Sequence, residues 1–246
     1  MVTAGYTLCD VGTDHGYVPI ALVQSNIIPK AIAVDINKGP LERANEHIRA
    51  NGLTEQITTR LSNGLEAIHD GEVDSIVIAG MGGELVIHIL TAGETVCRSA
   101  KELILQPQSE IPHFRTFLME EGYLLMDENI IYEEGKYYFM MKVRWLGEMS
   151  EDAVRSQVRE SWKADDAASG LAGQLGPILL YRKCPLLLNY VEWQLAEHRK
   201  IAKRLEKEAD TANPKTMRRR QEIAEETALF TRALEWYDNG KEPDCV

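Results

Sequence analysis

Short runs of apolar and β-branched residues alternate with amphipathic helical patterns through the first part of the chain. The apolar runs lie at 6–12, 31–36, 57–62, 75–80 and 102–107, and the helical patterns lie at about 16–26, 39–51, 83–91 and 110–121. Strands that alternate with helices in this way are typical of βαβ units and a parallel sheet. The pattern therefore predicts an α/β domain.

The pattern changes after the last of these helices. Residues 123–145 indicate two long strands joined at Glu134-Gly135, an antiparallel hairpin that closes the sheet. Residues 147–176 are polar, small and weakly patterned, and we interpret them as a partly helical insertion or linker. We therefore place an α/β domain over 1–146 and a linker or insertion over 147–184.

From position 186 the spacing of apolar residues becomes helical, with alternating steps of three and four. Asn213-Pro214 interrupts the pattern, and the same spacing then resumes. Such a seam is typical of helices that pack as a coiled coil. We expect residues 185–246 to form an antiparallel helical hairpin along the seam residues Leu188, Val191, Leu195, His198, Ala202, Leu205, Ile223, Thr227, Phe230, Leu234 and Tyr237.

Composition narrows the class of protein. The chain has 246 residues, of which 44% are hydrophobic and 26% charged, as in a soluble globular protein. No apolar run approaches the roughly 20 residues that span a bilayer, and no signal peptide is visible. The cysteines form no CxxC pair, and the histidines lack metal-ligand spacing. We therefore expect a cytoplasmic protein without a metal site and with four free thiols, Cys9, Cys97, Cys184 and Cys245.

The charge is unevenly distributed. The net charge is −11, which argues against indiscriminate binding to nucleic acid. Residues 182–246, however, hold 13 Lys and Arg against 12 Asp and Glu, with the bases in clusters. An acidic body with a locally basic appendage binds RNA in some proteins, while a solvated face of a helical hairpin has the same charge pattern. Charge alone leaves both interpretations open.

The loop after the first strand reads DVGTDHG over residues 10–16. Glycines after a first strand let the backbone approach a ligand, and the following helix N-terminus offers free N–H groups. In the pattern D-x-G-x-G-x-G, Asp10, Gly12 and Gly16 match, but Asp14 takes the place of the second glycine. An acid there repels a pyrophosphate and suits a cation such as a sulfonium. The loop therefore disfavours NAD and favours S-adenosylmethionine.

Three further motifs follow the next strands in the order that a nucleoside site needs. Asp35, 19 positions after Gly16, ends the second strand, where an acid accepts hydrogen bonds from ribose hydroxyls. The third strand is followed by Asn63 and Gly64, and the fourth by Ala79, Gly80 and Met81. Each motif alone has an ordinary explanation as a strand end or a turn. Because all three motifs follow successive strands in the order that a nucleoside site needs, they favour a cofactor site.

These motifs together resemble a known family. DVGTDHGYVPI, AVDINKGPLERA, RLSNGL, IAGMGGELVIHIL and LILQP are similar to the bacterial tRNA (adenine-N1)-methyltransferases that modify position 22 of tRNA. The resemblance covers about 6–145 and continues more weakly into the hairpin. It implies a class I, Rossmann-like methyltransferase domain with a C-terminal coiled-coil appendage, S-adenosylmethionine as cofactor and tRNA as partner. The implied activity is methyl transfer to N1 of an adenosine in the D-arm.

The resemblance suggests roles for the acid–histidine loop. N1 of adenine already has a lone pair, so the site needs positioning and a group that stabilises the cationic ring. Asp14 is our candidate to accept from the N6 amino group or to face the charged end of the cofactor, and His15 and Tyr17 are candidates to line the base pocket. A plain helix-capping role for His15 stays open.

Two further groups are candidates for substrate contacts. The Gln106-Pro107 turn is placed to hold an unstacked base, although a plain strand-ending turn explains it nearly as well. On the hairpin, Arg199, Lys203, Arg218 and Arg219 are candidates for phosphate contacts.

The sequence departs from the family at its N-terminus, and it leaves two alternative functions open. Members usually carry a helix before the first strand, whereas Met1 stands nine residues before Asp10, so we expect that helix to be absent. A methyltransferase acting on another RNA base or a small molecule is one alternative, and a non-catalytic adaptor for RNA or protein is another. We expect a monomer.

Overall fold

The structure is a computed structural model that describes residues 1–164, 169–206 and 213–239. The chain forms two compact units. The first comprises Met1–Asn129 and Tyr138–Asp165, and the second comprises Ile130–Tyr137 and Asp166–Val246, of which only the ranges above are described.

A seven-stranded sheet has the order β3-β2-β1-β4-β5-β7-β6. Its strands are β1 Leu8–Val11, β2 Ala31–Asp35, β3 Ile57–Leu61, β4 Ser75–Met81, β5 Glu102–Pro107, β6 Tyr123–Glu133 and β7 Lys136–Trp145. The first five are parallel, and β7 runs antiparallel to β5. This is the predicted Rossmann-like α/β fold with a closing hairpin, and the prediction is confirmed.

Helices connect the parallel strands and continue after the hairpin. They are α1 Tyr17–Gln24, α2 Lys38–Ala50, α3 Gly83–Ala92, α4 Glu94–Ser99, α5 Ile111–Glu120, α6 Asp152–Ser161, α7 Ser169–Leu175, α8 Pro177–Tyr181, α9 Pro185–Glu206 and α10 Pro214–Asn239. Helices α1, α2, α3 and α5 agree with the predicted stretches to within two residues at each end. The six-residue helix α4 was not predicted.

The hydrophobic core is centred on strands that are covered on both faces. Every residue of β1 and of β5 is buried, as expected for central strands of a largely parallel sheet. Leu8 of β1 packs in one cluster with Ile20 of α1 and with Ala44 and Ile48 of α2. This packing fixes α1 and α2 against the strand that carries the glycine-containing loop.

The segment after the hairpin contains three helices. In the first unit, Trp162 follows α6, is buried, and donates its indole N–H to the carbonyl of Tyr123 at 2.7 Å. In the second unit, α7 and α8 bury Leu175 and Leu180. The described residues between 147 and 184 are therefore more regular than their polar composition indicates.

The second unit contains the helical hairpin. Helix α10 begins at Pro214, where the sequence predicts a new helix. The seam residues Val191, Leu195 and His198 of α9 are buried, and so is Phe230 of α10. The predicted continuation through 207–212 and 240–246 lies outside the described residues.

Cys9, Cys97 and Cys184 are free thiols, as predicted, and Cys245 lies outside the described residues. Burial raises the pKa of Cys97 to about 12 and that of Cys9 further, so neither thiol is a reactive thiolate near neutral pH. No helix in the described ranges is long and apolar enough to cross a membrane. Within the same ranges, no three His, Cys, Asp or Glu side chains are grouped as metal ligands.

Candidate active site

The candidate site lies where the parallel strands end. Asp10 of β1 pairs in register with Ala33 of β2 and with Val77 of β4. The loops that follow these strands therefore leave the sheet at the same edge. This is the edge at which open α/β sheets bind ligands.

Gly12 brings two of these loops into contact. Its φ is +74°, and a Cβ atom at this position would stand 2.0 Å from Cε of Met81. Its N–H donates to the carbonyl of Val34 at 2.8 Å. Glycine is needed here because the backbone is left-handed and the space is filled by Met81. Gly12 and Met81, two predicted cofactor residues, are thus neighbours.

Asp10 is a buried acid, with 7% of its surface exposed. Burial raises the pKa of its carboxyl to about 6, and the neighbouring Thr13 side chain opposes that rise. A buried carboxylate of this kind is stabilised by any cation that binds beside it. This loop therefore favours a positively charged ligand.

The end of β2 carries a second acid. Asp35 Oδ1 accepts a hydrogen bond from the backbone N–H of Asn37 at 2.7 Å, which orients the carboxylate at the start of α2. After β3, Asn63 is exposed and donates its amide N–H to Glu66 at 2.8 Å. Gly64 has φ +57°, and a Cβ there would lie 3.2 Å from Ile89.

An ion pair anchors the loop that holds Asn63. Arg60 of β3 donates to both carboxylate oxygens of Glu72 and to the carbonyl of Ala67. The hydrogen bonds from Arg60 lower the pKa of the Glu72 carboxyl to about 2. The bidentate pair closes the segment between β3 and β4 into a fixed loop.

Strands β4 and β5 are joined at their ends by a side chain. Gly80, with φ +79°, donates its N–H to Oε1 of Gln106 at 2.8 Å. Gln106 and Pro107 are buried at the end of β5, whereas Ala79 and Gly80 are exposed. The Gln106 amide therefore supports the β4 loop, and a role in holding a base stays a prediction.

Two residues of this region were not predicted. Ser109 Oγ accepts from the N–H of Gly83 at 3.2 Å, and the Gln108 N–H donates to the Met81 carbonyl at 2.8 Å. The polar run QPQS after a buried strand is the sequence signal that indicates them. They tie the loop after β5 to the loop after β4.

His15 and Tyr17 form an aromatic group at the start of α1. Their ring centroids are 5.2 Å apart with planes 8° from parallel. His47 of α2 lies 5.3 Å from the first and 5.4 Å from the second. Gly16 is the N-cap of α1, and no side chain caps the helix, which argues against the capping alternative for His15. Tyr17 is 62% exposed.

Asp14 is exposed beside this group. Its Oδ1 lies 3.2 Å from Nη2 of Arg43 and 3.3 Å from Nε2 of His15. Sequence reasoning did not identify Arg43 or His47 as site residues. Their spacing of four on one helix places them on the same face, but only the fold brings that face to the loop.

The four predicted phosphate contacts belong to the second unit. Arg199 and Lys203 are exposed on α9, and among the described residues neither has an ion-pair partner. Arg218 and Arg219 are exposed on α10, and both pair with Glu222 at 3.1 Å. The α10 pair is therefore less available to an incoming anion than the α9 pair.

Comparison with known proteins finds similarity to methyltransferases, both to a family model and to a characterised relative. The family model described as "Methyltransferase domain" matches residues 1–141. The tRNA (adenine(22)-N(1))-methyltransferase of Bacillus subtilis (strain 168) is 34% identical over 235 residues, which is 94% of this chain and 91% of that protein.

Solved structures extend the similarity over nearly the whole chain. The B. subtilis m1A22 tRNA methyltransferase TrmK has a TM-score of 0.77 at 30% identity, with 95% of this chain and 94% of that chain covered. M. capricolum TrmK, solved with the product S-adenosyl-homocysteine, has a TM-score of 0.72 at 26% identity, with 96% and 93% covered.

Proposed function

The chain belongs to the tRNA (adenine(22)-N1)-methyltransferase family, and we propose that it transfers a methyl group from S-adenosylmethionine to N1 of adenosine 22 in the D-arm of tRNA. One observation carries the proposal. The end of β1 carries a buried acid, Asp10, and the loop that follows carries an exposed acid, Asp14, at the edge where the strand-end loops leave the sheet. Two carboxylates in these positions suit a cationic cofactor and a substrate ring that becomes cationic.

The residues at this edge fit the cofactor. Gly12 and Gly80 have positive φ, and a Cβ at Gly80 would meet only Gln108 Nε2 at 3.9 Å, so the backbone is open there. We propose that Asp10 and the glycines hold the charged amino-acid end, and that Asp35 accepts from the ribose hydroxyls.

Asn63 and Gly64 are our candidates for the adenine end, with Ala79, Gly80 and Met81 across from them. When bound, S-adenosylmethionine supplies a methyl group on a positively charged sulfur, which leaves as a neutral thioether. The chain has only to orient the acceptor and to exclude water.

The acceptor nitrogen needs no base. The N1 lone pair of adenine forms the new N–C bond, and positive charge passes to the ring. Asp14 Oδ2 has no hydrogen-bond partner in the described part of the chain, while Oδ1 faces Arg43 and His15. We propose that Oδ2 accepts from the N6 amino group, so that the carboxylate stabilises the ring as it becomes cationic.

The target base must leave its stack, because N1 lies on the Watson–Crick edge. His15 and Tyr17 present near-parallel rings, and Tyr17 is mostly exposed. We propose that these rings receive the unstacked adenine. Stacking of a base on an aromatic side chain contributes about 1–3 kcal/mol, which offsets the cost of unstacking.

The substrate is large, and the second unit offers basic side chains for it. We propose that Arg199 and Lys203 contact tRNA phosphates and that Arg218 and Arg219 contribute less, since Glu222 already holds them. We further propose that the protein acts as a monomer in the cytoplasm, where its substrate is found.

Two substitutions separate cofactor binding from methyl transfer. Asp35→Ala is expected to weaken S-adenosylmethionine binding by about 10- to 100-fold in calorimetry, because it removes charge-assisted hydrogen bonds. Asp14→Asn is expected to keep that affinity and to lower kcat for tRNA methylation by about 100-fold. Asp70→Asn, at an exposed acid outside the site, is the control and should change neither value. Full activity of Asp14→Asn would contradict the role of Asp14.

A further inference from the structure

Two side chains of α2 contact the acid–histidine loop and have no role in the chemistry above. Arg43 and His47 are four residues apart and therefore lie on one face of the helix. Their partners, Asp14 and His15, lie 29 and 32 positions away in the sequence. Each contact is a specific polar interaction with a proposed site residue.

Close packing brings this face of α2 to the loop. Ala44 is fully buried, and its Cβ lies 3.4 Å from the position that a Cβ on Gly16 would take. A small residue on each side lets the helix approach the loop backbone. Arg43 and His47, which flank Ala44, then reach the loop with ordinary side-chain lengths.

Arg43 orients a carboxylate that would otherwise rotate. The Asp14 side chain is 69% exposed, and its Oδ1 is shared by Arg43 Nη2 and His15 Nε2. An exposed Asp without such partners samples several rotamers. The contact with Arg43 holds Oδ1, while Oδ2 has no hydrogen-bond partner among the described residues.

His47 supports both the backbone and the ring of His15. Its Nδ1 lies 3.0 Å from the His15 carbonyl oxygen, which only accepts, so Nδ1 carries the hydrogen. His15 has φ +62°, an uncommon conformation for a residue with a side chain, and such a conformation persists where surrounding contacts hold it. The His47 ring also lies beside the rings of His15 and Tyr17.

We infer that Arg43 and His47 are positioning residues for methyl transfer, Arg43 acting through Asp14 and His47 acting through His15. The inference rests on the proposed function, because it assigns both residues a role through groups of that site. Their loss leaves cofactor binding intact and lowers the rate at which bound tRNA is methylated.

A double-mutant cycle tests Arg43. Arg43→Met is expected to lower kcat by about 10- to 100-fold with an unchanged KM for S-adenosylmethionine. In Arg43→Met/Asp14→Asn, kcat should be no lower than in Asp14→Asn alone, within about 2-fold, because a residue that acts through Asp14 has no effect once that acid is lost. Arg49→Met, on the same helix and exposed, is the matched control. Losses that multiply in the double variant would overturn the inference for Arg43.

Conservative rescue tests His47. His47→Phe keeps a ring but removes the donor, and His47→Asn keeps a donor near the position of Nδ1. We expect His47→Phe to lower kcat about 10-fold and His47→Asn to retain at least half of the wild-type kcat. The control is His113→Phe, at a histidine that is 62% exposed on α5. Equal losses in both His47 variants would overturn the assigned hydrogen bond.

The same assays distinguish failure of the proposed function from failure of the inference about Arg43 and His47. Each variant's affinity for S-adenosylmethionine, measured by calorimetry, reports whether its first unit is folded. Absence of tRNA methylation by the wild-type chain would overturn the proposed function and this inference with it. Methylation by the wild type with unchanged kcat in Arg43→Met and His47→Phe would overturn the inference alone.

Discussion

Among single residues, two acids four positions apart, one at the end of β1 and one in the following loop, lie in opposite environments. Asp10 is buried, and burial raises the pKa of its carboxyl to about 6, whereas Asp14 is exposed and paired with Arg43. The first acid suits a permanent cation that enters its pocket. The second suits a group that becomes positive during the reaction. We therefore propose that Asp10 serves cofactor binding and that Asp14 serves catalysis.

The raised pKa of Asp10 predicts a pH dependence of cofactor binding. Above about pH 6 the carboxylate is ionised and attracts the cationic cofactor, and below about pH 6 it becomes protonated and the attraction is lost. The Kd for S-adenosylmethionine should therefore rise as pH falls from 7 to 5. Calorimetry across that range measures it. Asp10→Asn should bind weakly with little pH dependence, and an equally steep pH dependence in Asp10→Asn would contradict the assignment.

The surroundings of Gly12 predict that Gly12→Ala and Gly52→Ala differ in their effect on cofactor affinity. Gly12 and Gly52 have φ of +74° and +70°, but only Gly12 has a neighbour where a Cβ would stand. Alanine should cost about 1–2 kcal/mol of unfolding free energy at either position, from left-handed strain. Only Gly12→Ala should also weaken S-adenosylmethionine binding, because the added carbon displaces Met81. Urea unfolding and calorimetry check both parts, and equal cofactor affinity in the two variants would contradict the account.

Sequence reasoning found the residues of the loop but not the contacts that hold them. Gly12, Asp14 and Gly16 stand out because glycine and acid at fixed spacing after a strand have few structural explanations. Arg43 and His47 carry no such signal, since an amphipathic helix has many exposed polar positions. Their role depends on which face of α2 meets the loop, and tertiary packing at Ala44 decides that.

At the scale of elements, strong periodicity made the sheet predictable. The predicted strand at 102–107 coincides with β5, and the turn at Glu134-Gly135 has two residues of positive φ, as a tight hairpin needs. Helix α4 has only six residues, which make fewer than two turns, so its amphipathic pattern does not repeat and the sequence did not indicate it. Helix α6 has only two buried side chains, Val154 and Val158, among polar residues, which is why residues 147–176 looked weakly patterned.

An ion pair between strands makes the closing hairpin sensitive to one substitution. Lys142 of β7 lies 2.7 Å from Glu102 of β5, and both side chains are largely buried, at 14% and 2% exposed. The carboxylate also accepts hydrogen bonds from the Thr3 backbone N–H and from Ser75. These contacts outweigh burial and lower the pKa of Glu102. The pair therefore joins β5, β7 and the N-terminal segment.

Removing one partner of the Lys142–Glu102 ion pair should lower the stability of the protein substantially. Lys142→Met is expected to lower the free energy of unfolding by about 3 kcal/mol, because it leaves a buried carboxylate without its cation. Lys101→Met breaks an ion pair with Asp74 in which the lysine is exposed, and it should lower the free energy of unfolding far less than Lys142→Met does. Urea unfolding at pH 7 gives both values. Similar losses in the two variants would show that burial of the Glu102 pair is unimportant.

At the scale of the whole molecule, the charge has a sharp asymmetry. The net charge is −11, yet the clustered bases of the second unit include Arg199 and Lys203, which lack ion-pair partners in the described part of the chain. The comparisons with known methyltransferases cover both units, so the hairpin belongs to the family architecture.

The asymmetry predicts how tRNA binding depends on salt. Replacing Arg199 and Lys203 together by glutamine should reduce the slope of log K for tRNA against log salt by about 1–2, because two phosphate contacts are lost. Affinity for S-adenosylmethionine should not change. The matched double variant Arg218→Gln/Arg219→Gln should reduce the slope less, since both arginines are already ion-paired with Glu222. An unchanged slope in the α9 variant would remove these residues from the interface.

The central claim is that this chain methylates N1 of adenosine 22 in tRNA. Its most direct test incubates the protein with labelled S-adenosylmethionine and two unmodified tRNAs that differ only in having adenosine or guanosine at position 22. Digestion to nucleosides then identifies the modified base. We expect labelled N1-methyladenosine from the first tRNA and none from the second. Equal labelling of both tRNAs, or label in any other nucleoside, would contradict it.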